Sequence, residues 1–516
     1  MNNLNPLKNP ASLPYSVWPV EAIKQLEQQG ADSLGITLFE LMQRAGEAAF
    51  AKIRALWPAK EHWLILCGHG NNGGDGFIVA RLAQSAGLTV SVIACEGSKP
   101  LPEEAQQARD AWLAAGGTLH DPSAPWPEKV EVIVDALLGV GGNRAPEEPY
   151  RALIQQANQH DAPVFAVDCP SGLVAANGTT PGEVIVADHT LTFIALKPGL
   201  LTGKARDVTG TLHFHALSLD TWLNGQIAPV SRFDATSLSR WLKPRKPTSH
   251  KGDNGKLAII GGDHGTAGAI RMTGEAALRA GAGLVRVLTH KDNITPLVTA
   301  RPELMVQELT TNAIDDALEW ADVIVIGPGL GQGEWGKKAL QKVENSQKPM
   351  LWDADALNLL AIRPEKRQNR IITPHPGEAA RLLNVKVSEI ESDRLHSAQQ
   401  LAKRYGGVAV LKGAGTIIAS ADGETAIADV GNAGMGSGGM GDVLSGIIGG
   451  LLGQKLSTYE AACAGCVAHG AAAEAVAESY GTRGMLATDL FSRLYLFVNP
   501  EMLNKKNEDQ RNHIVR

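Results

Sequence analysis

Four acidic residues set beside glycines are the positions in this chain best suited to chemistry. The run Gly68-His-Gly-Asn-Asn-Gly-Gly-Asp-Gly76 contains Gly68, Gly70 and Gly73 in a G-x-G-x-x-G spacing, and Glu96 follows about twenty residues on, as in a dinucleotide-binding turn. Asp75 speaks against that reading, because it sets an anion where a pyrophosphate would rest. The side-chain oxygens of Asn71, Asn72 and Asp75 suit a hard cation or a sugar hydroxyl instead. The plainer alternative is a glycine turn that caps the next helix. Asp135 ends Val-Ile-Val-Asp and runs into Ala136-Leu-Leu-Gly-Val-Gly-Gly142, and Asp168 ends Phe-Ala-Val-Asp and runs into Cys169-Pro-Ser-Gly172. Singly, each reads as a cap. Three such ends converge on one crevice if the strands are parallel neighbours, since open α/β sheets bind ligands beyond the carboxyl ends of their strands.

The fourth position is Asp442, within Gly436-Ser-Gly-Gly-Met-Gly-Asp-Val-Leu-Ser-Gly446. Glycines here lead into an apolar helix. A helix start presents unpaired N–H groups and partial positive charge to a transferring phosphoryl group, and a carboxylate beside it can take the proton of an attacking hydroxyl. The alternative is again a cap. The chain has no G-x-x-x-x-G-K-[ST] sequence, so a P-loop is excluded.

These positions need a scaffold of alternating strands and helices. Apolar residues at helical spacing predict a helix over 34–56. Strands are expected at 62–67, 88–95, 130–138, 164–168, 184–194 and 211–217, then at 256–260, 284–288, 322–326, 349–352, 370–373 and 408–411, with late helices at about 440–452 and 458–478. The expected fold class is α/β, with two domains that are each a mainly parallel sheet flanked by helices. The basic, proline-rich stretch 243–250 marks the entry to the second. The boundaries read as a first domain over 1–220, a linker over 221–235 and a second domain over 236–516.

Composition narrows the function classes. A chain of 516 residues exceeds one core. A net charge of −6 and 5% aromatic residues exclude a duplex- or single-strand-binding platform, so no nucleic-acid partner is expected. The opening MNNLNPLKNP lacks an apolar signal core, no run is long enough to span a membrane, and the cysteines are few and odd in number. Reduced thiols in the cytoplasm follow, with no membrane partner. Cys463 and Cys466 form a C-x-x-C inside an alanine-rich helix and read as packing.

The runs NNGGDG, DALLGVG and VDCPSG, taken together, resemble the NAD(P)H-hydrate epimerase family over residues 20–215. That resemblance implies a Rossmann-like first domain. It implies potassium near Asn72, Asp135 and Ser171. Phosphates and ribose of the substrate would be held by Asn71, Asn72, Gly73, Gly74 and Asp75 and by Gly139, Val140, Gly141, Gly142, Asn143, Arg144 and Ala145, with Asp168 at the hydrated ring as acid/base. The G-S-G-G-M-G-D run resembles the G-x-G-D signature of ribokinase-like kinases. Thr373-Pro-His-Pro-Gly-Glu378, Val410-Leu-Lys-Gly-Ala-Gly-Thr416 and Gly327-Pro-Gly-Leu-Gly331 resemble its ligand loops, so that 235–500 resembles the NAD(P)H-hydrate dehydratases. By that resemblance Lys412, Gly413, Ala414, Gly415, Thr416 and Gly441 hold the nucleotide, while Gly268, Ala269, Gly331, His375 and Asp442 hold the hydrate. Asp442 would be the catalytic base, ADP the co-substrate, and magnesium would screen the phosphates. His375 has an alternative, packing between two prolines. The implied activity is repair of hydrated NADH and NADPH, by epimerisation and by ADP-dependent dehydration to NAD(P)H with release of AMP and phosphate. A homo-oligomer is expected. Two rival readings stand beside this one: a vitamin-pathway small-molecule kinase fused to a non-catalytic ligand-binding domain, and a ligand sensor without turnover.

Overall fold

The computed structural model describes residues 13–503. They fall into two compact units, which divide between Ser231 and Arg232. The first unit runs in the order β1 (Ser16–Val17), α1 (Val20–Leu34), α2 (Leu38–Leu56), β2 (His62–Cys67), α3 (Asn71–Ser85), β3 (Thr89–Ala94), α4 (Glu103–Ala114), β4 (Val132–Ala136), α5 (Tyr150–Gln159), β5 (Val164–Val167), β6 (His189–Phe193), α6 (Ala205–Val208), β7 (Thr211–His215) and α7 (Asp220–Leu223), with β8 (Val230–Phe233) at its end. Its six-stranded sheet has the order β3-β2-β4-β5-β6-β7, parallel throughout. The strands are short runs of β-branched and apolar residues buried on both faces, as a sheet covered by helices requires.

The expected single helix over 34–56 is two helices. Gly35 ends α1 in the left-handed region at φ 65°. Thr37 then opens α2, its hydroxyl accepting from Glu40 N–H while Glu40 accepts from Thr37 N–H, a reciprocal cap. Leu34 lies on α1, 40% exposed, rather than on the buried face of α2. The expected strand over 184–194 is a strand only at His189–Phe193. Residues 221–235 contain α7 and β8, and Ser231 pairs antiparallel with Ser16.

The second unit continues β9 (Lys256–Ile260), α8 (Ala267–Arg279), β10 (Leu284–Thr289), α9 (Ile294–Ala300), β11 (Met305–Glu308), α10 (Thr311–Trp320), β12 (Val323–Ile326), α11 (Glu334–Glu344), β13 (Met350–Trp352), α12 (Asp355–Ile362), β14 (Arg370–Ile372), α13 (Pro376–Leu383), α14 (Val387–Ser392), α15 (Arg394–Tyr405), β15 (Val408–Leu411), β16 (Thr416–Ser420), β17 (Thr425–Ala428), α16 (Met440–Gly453), α17 (Thr458–Tyr480) and α18 (Phe491–Val498). Its strands follow the order β17-β16-β15-β14-β13-β12-β9-β10-β11. They are parallel from β15 to β11, with β16 and β17 antiparallel. The sequence reading missed β11, β16 and β17, although Asp422-Gly423 between the last two is a recognised hairpin turn. Both units are therefore the expected mainly parallel α/β sheets. Helix α16 is buried along almost its whole length. It packs so closely on α8 that a Cβ on Gly446 would run into the Thr273 carbonyl. All five cysteines are free and buried, Cys463 and Cys466 within α17. Among the described residues no helix is long and apolar enough to cross a membrane.

Candidate active sites

In the first unit the strand ends do converge. Asp135, at the end of β4, is fully buried. It accepts the Ser171 hydroxyl at 2.6 Å, the Ser171 N–H at 2.8 Å and the Leu137 N–H at 3.2 Å. Ser171 Oγ in turn accepts from Leu138 N–H. With its amide oriented to suit its neighbours, Asn72 donates to the Val167 carbonyl and accepts from Gly139 N–H, both at 3.1 Å. The three residues thus tie the ends of β4 and β5 to the start of α3. Burial pushes the Asp135 carboxyl up to about 6, against the Ser171 and Leu137 hydrogen bonds. No cationic side chain among the described residues is hydrogen-bonded to it. Gly68 can only be glycine at the end of β2, because a Cβ there would strike the Leu137 carbonyl.

Two cavities flank Asn71. One, of about 460 Å³, lies at the start of α3 and is lined by Asn72, Gly141, Gly142, Asn143, Arg144 and Ala145 among others. Of the expected substrate residues, Asp75, Gly139 and Val140 do not line it, nor do Gly73 and Gly74. Both are buried beneath the loop, Gly74 against Met42, and Val140 packs on a small apolar cluster. On the same wall His69 Nε2 meets the Lys99 carbonyl at 2.6 Å, which makes Nδ1 an acceptor. That nitrogen is buried with no partner among the described residues. Glu96, the acidic residue of a dinucleotide turn, is ion-paired with Arg109 instead.

The second cavity, of about 100 Å³, holds Asp168 with groups that the sequence reading did not find, Glu27 from α1, Glu104 from α4 and Lys197. Asp168 sits in the left-handed region at φ 66°, a strained position for a residue with a Cβ. Its Oδ1 accepts from Lys197 Nζ at 2.9 Å and the Thr192 hydroxyl at 3.0 Å. Lys197 is only 1% exposed, and it also donates to Thr192 Oγ1 and the Phe193 carbonyl. Burial, with the Asp168 charge adding to it, pushes Glu27 up to about 7. The same two causes and Glu27 push Asp75 well above the usual carboxylate range. Neither Lys197 nor Glu27 stands in a motif. Lys197 follows a strand, and only the fold shows it turning back onto Asp168.

In the second unit, the carboxyl ends of β13 and β15 face the start of α16. Asp353, directly after β13, is 2% exposed and accepts from Lys412 Nζ at 3.3 Å and the Ser445 hydroxyl at 2.8 Å. The sequence reading passed over it, although it closes a strand as Asp135 and Asp168 do. Burial opposes the charge of Lys412, but Asp353, Glu378 and Asp442 outweigh burial and raise its pKa. Asp442 lies in the first turn of α16 and does not cap it. The cap position is Gly439 at φ 90°, with no side-chain cap bond. Burial, then the Asp353 charge, pushes Asp442 up to about 7, and burial likewise brings Glu378 to about 7.

The neighbouring loops are placed as follows. A Cβ on Gly441 would lie 3.0 Å from Lys412 Nζ. The 412–416 loop is held from behind by buried Arg394, which donates to the Leu411 and Lys412 carbonyls, and Thr416 closes it onto Gly413. Gly331 N–H donates to Asp355, and Gly331 also faces Asp263. Gly268 and Ala269 lie in the first turn of α8, with open space at the Gly268 Cβ position. His375 caps α13, its Nδ1 accepting from Gly377 and Glu378 N–H, while its Nε2 lies 3.5 Å from Glu378 Oε1. Burial, with Lys412 and Arg381, lowers its pKa.

Comparison with known proteins matches residues 257–495 to the NAD(P)H-hydrate dehydratase family and residues 38–199 to the YjeF-related protein N-terminus. The bifunctional NAD(P)H-hydrate repair enzyme Nnr of Escherichia coli (strain K12) is 68% identical over 505 residues, covering 98% of each chain. The bifunctional NAD(P)H-hydrate repair enzyme of Leishmania braziliensis is 44% identical, covering 94% of this chain and 93% of its own. Among solved structures, an ADP/ATP-dependent NAD(P)H-hydrate dehydratase from Bacillus subtilis co-crystallized with ATP/Mg2+ is 30% identical with a TM-score of 0.47, covering 51% of this chain and 97% of that one.

Proposed function

Because the chain belongs to the bifunctional NAD(P)H-hydrate repair enzymes, we propose that its two acidic clefts divide the work, the first exchanging the two epimers of hydrated NAD(P)H and the second dehydrating one of them. The observation that carries this is common to both clefts. Each sets a carboxylate engaged by lysine, Asp168 with Lys197 and Asp353 with Lys412, beside carboxyl groups pushed toward neutral pH. Carboxyl groups whose environments push them apart divide acid and base roles between them.

In the first cleft the hydrated ring enters the smaller cavity and the phosphates and ribose lie in the larger, across Asn71. The unpartnered His69 Nδ1 suits a ribose hydroxyl. A neutral Glu27 donates a proton to the ring hydroxyl, which leaves as water as the ring nitrogen's lone pair moves in. Asp168, ion-paired to Lys197, accepts a proton from the water that returns on either face. Potassium fits beside Asn72, Asp135 and Ser171. All three supply oxygen, and Asp135 is a buried carboxylate without a cationic side chain bonded to it. When bound, the ion would supply that countercharge and fix the loops that hold the phosphates.

In the second cleft Asp442, free of a capping role, removes the proton of the ring hydroxyl while ADP gives up its terminal phosphoryl group, leaving AMP. Phosphate departs from the ring more readily than hydroxide, and loss of a proton restores the dihydropyridine. Lys412 to Thr416 and Gly441 hold the nucleotide. Gly268, Ala269, Gly331 and His375 Nε2 face the hydrate. Asp353 and Glu378 offer two carboxylates beside one lysine, a donor set suited to magnesium, which would screen the phosphates. Five free, buried thiols fit a reducing compartment, and the proposal places the enzyme in the cytoplasm. The deciding experiment incubates the full chain with each epimer of hydrated NADPH, with and without ADP. Epimer exchange should proceed without nucleotide, and NADPH with one AMP each should appear only with it. NADPH formation without nucleotide, or no exchange, would refute the division.

A further inference from the structure

Apart from the groups assigned to the two clefts, His264, His290 and Asp292 bring three ligand atoms within 4.8 Å of one another. His264 Nδ1 lies 3.1 Å and His290 Nδ1 3.6 Å from the same oxygen, Asp292 Oδ2, separations of the kind found between ligands of one small metal ion. The two imidazoles meet edge to face, with ring centroids 5.4 Å apart. The ligands come from two chain segments, the loop after β9 and the turn after β10, and the frame that joins these segments is buried and fully bonded. Asn293 donates to the carbonyls of Gly262 and Asp263 and to Thr289 Oγ1, while the Thr289 hydroxyl and His290 N–H both donate to the Gly262 carbonyl. Such a frame fixes the ligands before any ion arrives. Among the described residues, the competing use of His290 Nδ1 is a long 3.3 Å bond from Asp292 N–H. His264 and Asp292 are exposed, with side chains 76% and 53% accessible, so water can complete the coordination sphere.

We propose that His264, His290 and Asp292 form a surface site for a divalent ion of the zinc, nickel or copper type, separate from the magnesium and potassium of the two clefts. Two neutral imidazole nitrogens and one carboxylate select such ions over magnesium, which prefers oxygen ligands. The test is isothermal titration of the untagged full chain with zinc chloride in magnesium-containing buffer, repeated on His264→Ala, His290→Ala and Asp292→Asn. A double variant, His189→Ala with His213→Ala, serves as the control, because that stacked pair lacks a third ligand among the described residues. The wild type and the control should bind zinc alike, and each site variant should lose affinity by roughly tenfold or more. Nickel should quench tryptophan emission in the wild type and the control but not in the site variants, through Trp335 beside His290. An unchanged melting curve identifies folded variants. Absence of zinc binding to the wild type, or equal binding by folded His264→Ala and His290→Ala, would overturn the site.

Discussion

The sharpest consequences lie with two carboxyl groups. Asp442 makes no cap bond to α16, so its replacement should spare the helix and remove the base. Asp442→Asn should lower AMP release by about 10²–10⁴-fold while ADP affinity and melting temperature change little. An Asn variant with near-normal AMP release would exclude Asp442 as base. Its pH behaviour follows from the raised pKa of about 7. A base works only when deprotonated, so dehydration should decline as pH falls through 7. Glu27 has the opposite sign. As the acid it must carry its proton, and with a pKa of about 7 epimerisation should decline as pH rises through 7. Glu27→Gln should lower epimerisation by about 10²-fold or more, abolish that alkaline decline and leave dehydration intact. A merely structural Glu27 would lower stability and keep the pH profile. Rates of each reaction from pH 5 to 9 on one preparation settle both.

At the scale of elements, function depends on strand ends and on the helix starts they face. Asp135 fastens the end of β4 to the 169–172 loop through two hydrogen bonds from Ser171 and accepts a third from Leu137 N–H. Asp135→Ala removes these acceptors together with the only charge in the proposed potassium set. Epimerisation should fall and lose its dependence on potassium, measured against choline chloride at equal ionic strength, with dehydration unchanged. Persistent potassium dependence in the variant would move the ion elsewhere. At the start of α16, Gly439 adopts φ 90° and lies under Met272. Gly439→Ala must take a left-handed conformation, costing roughly 1–2 kcal/mol, and must displace that side chain. A lower midpoint in urea together with weaker dehydration is the expected result, with the epimerase half unaffected.

For the molecule as a whole, each unit carries its own core and acidic cleft, which predicts separable activities. The place of the cut matters. A chain ending at residue 220 loses Trp222 and Leu223, which pack on the first core, and the β8 residues that pair with β1. A chain ending at Ser231 keeps both. The longer piece should epimerise the hydrate without nucleotide and melt cooperatively, while the shorter one should be less stable. Equal stability of the two would show that α7 and β8 contribute nothing to this unit.

The alternation of short apolar runs with helical stretches determined the parallel α/β character of both halves, because a sheet covered on both faces needs strands that are apolar throughout. The glycine-flanked acids Asp135, Asp168 and Asp442 were legible for a similar local reason: a strand end, a tight turn and a helix start are written within a few neighbouring residues. What only the tertiary structure decided is which distant groups stand beside them. Glu27 comes from a helix before the first strand of the main sheet, Lys197 from a loop after β6, and Asp353 from a strand end without flanking glycines. No spacing relates them to their partners. Whether Asp442 capped its helix or stood free was a question of side-chain direction. Period and composition are blind to direction, and the folded backbone fixes it.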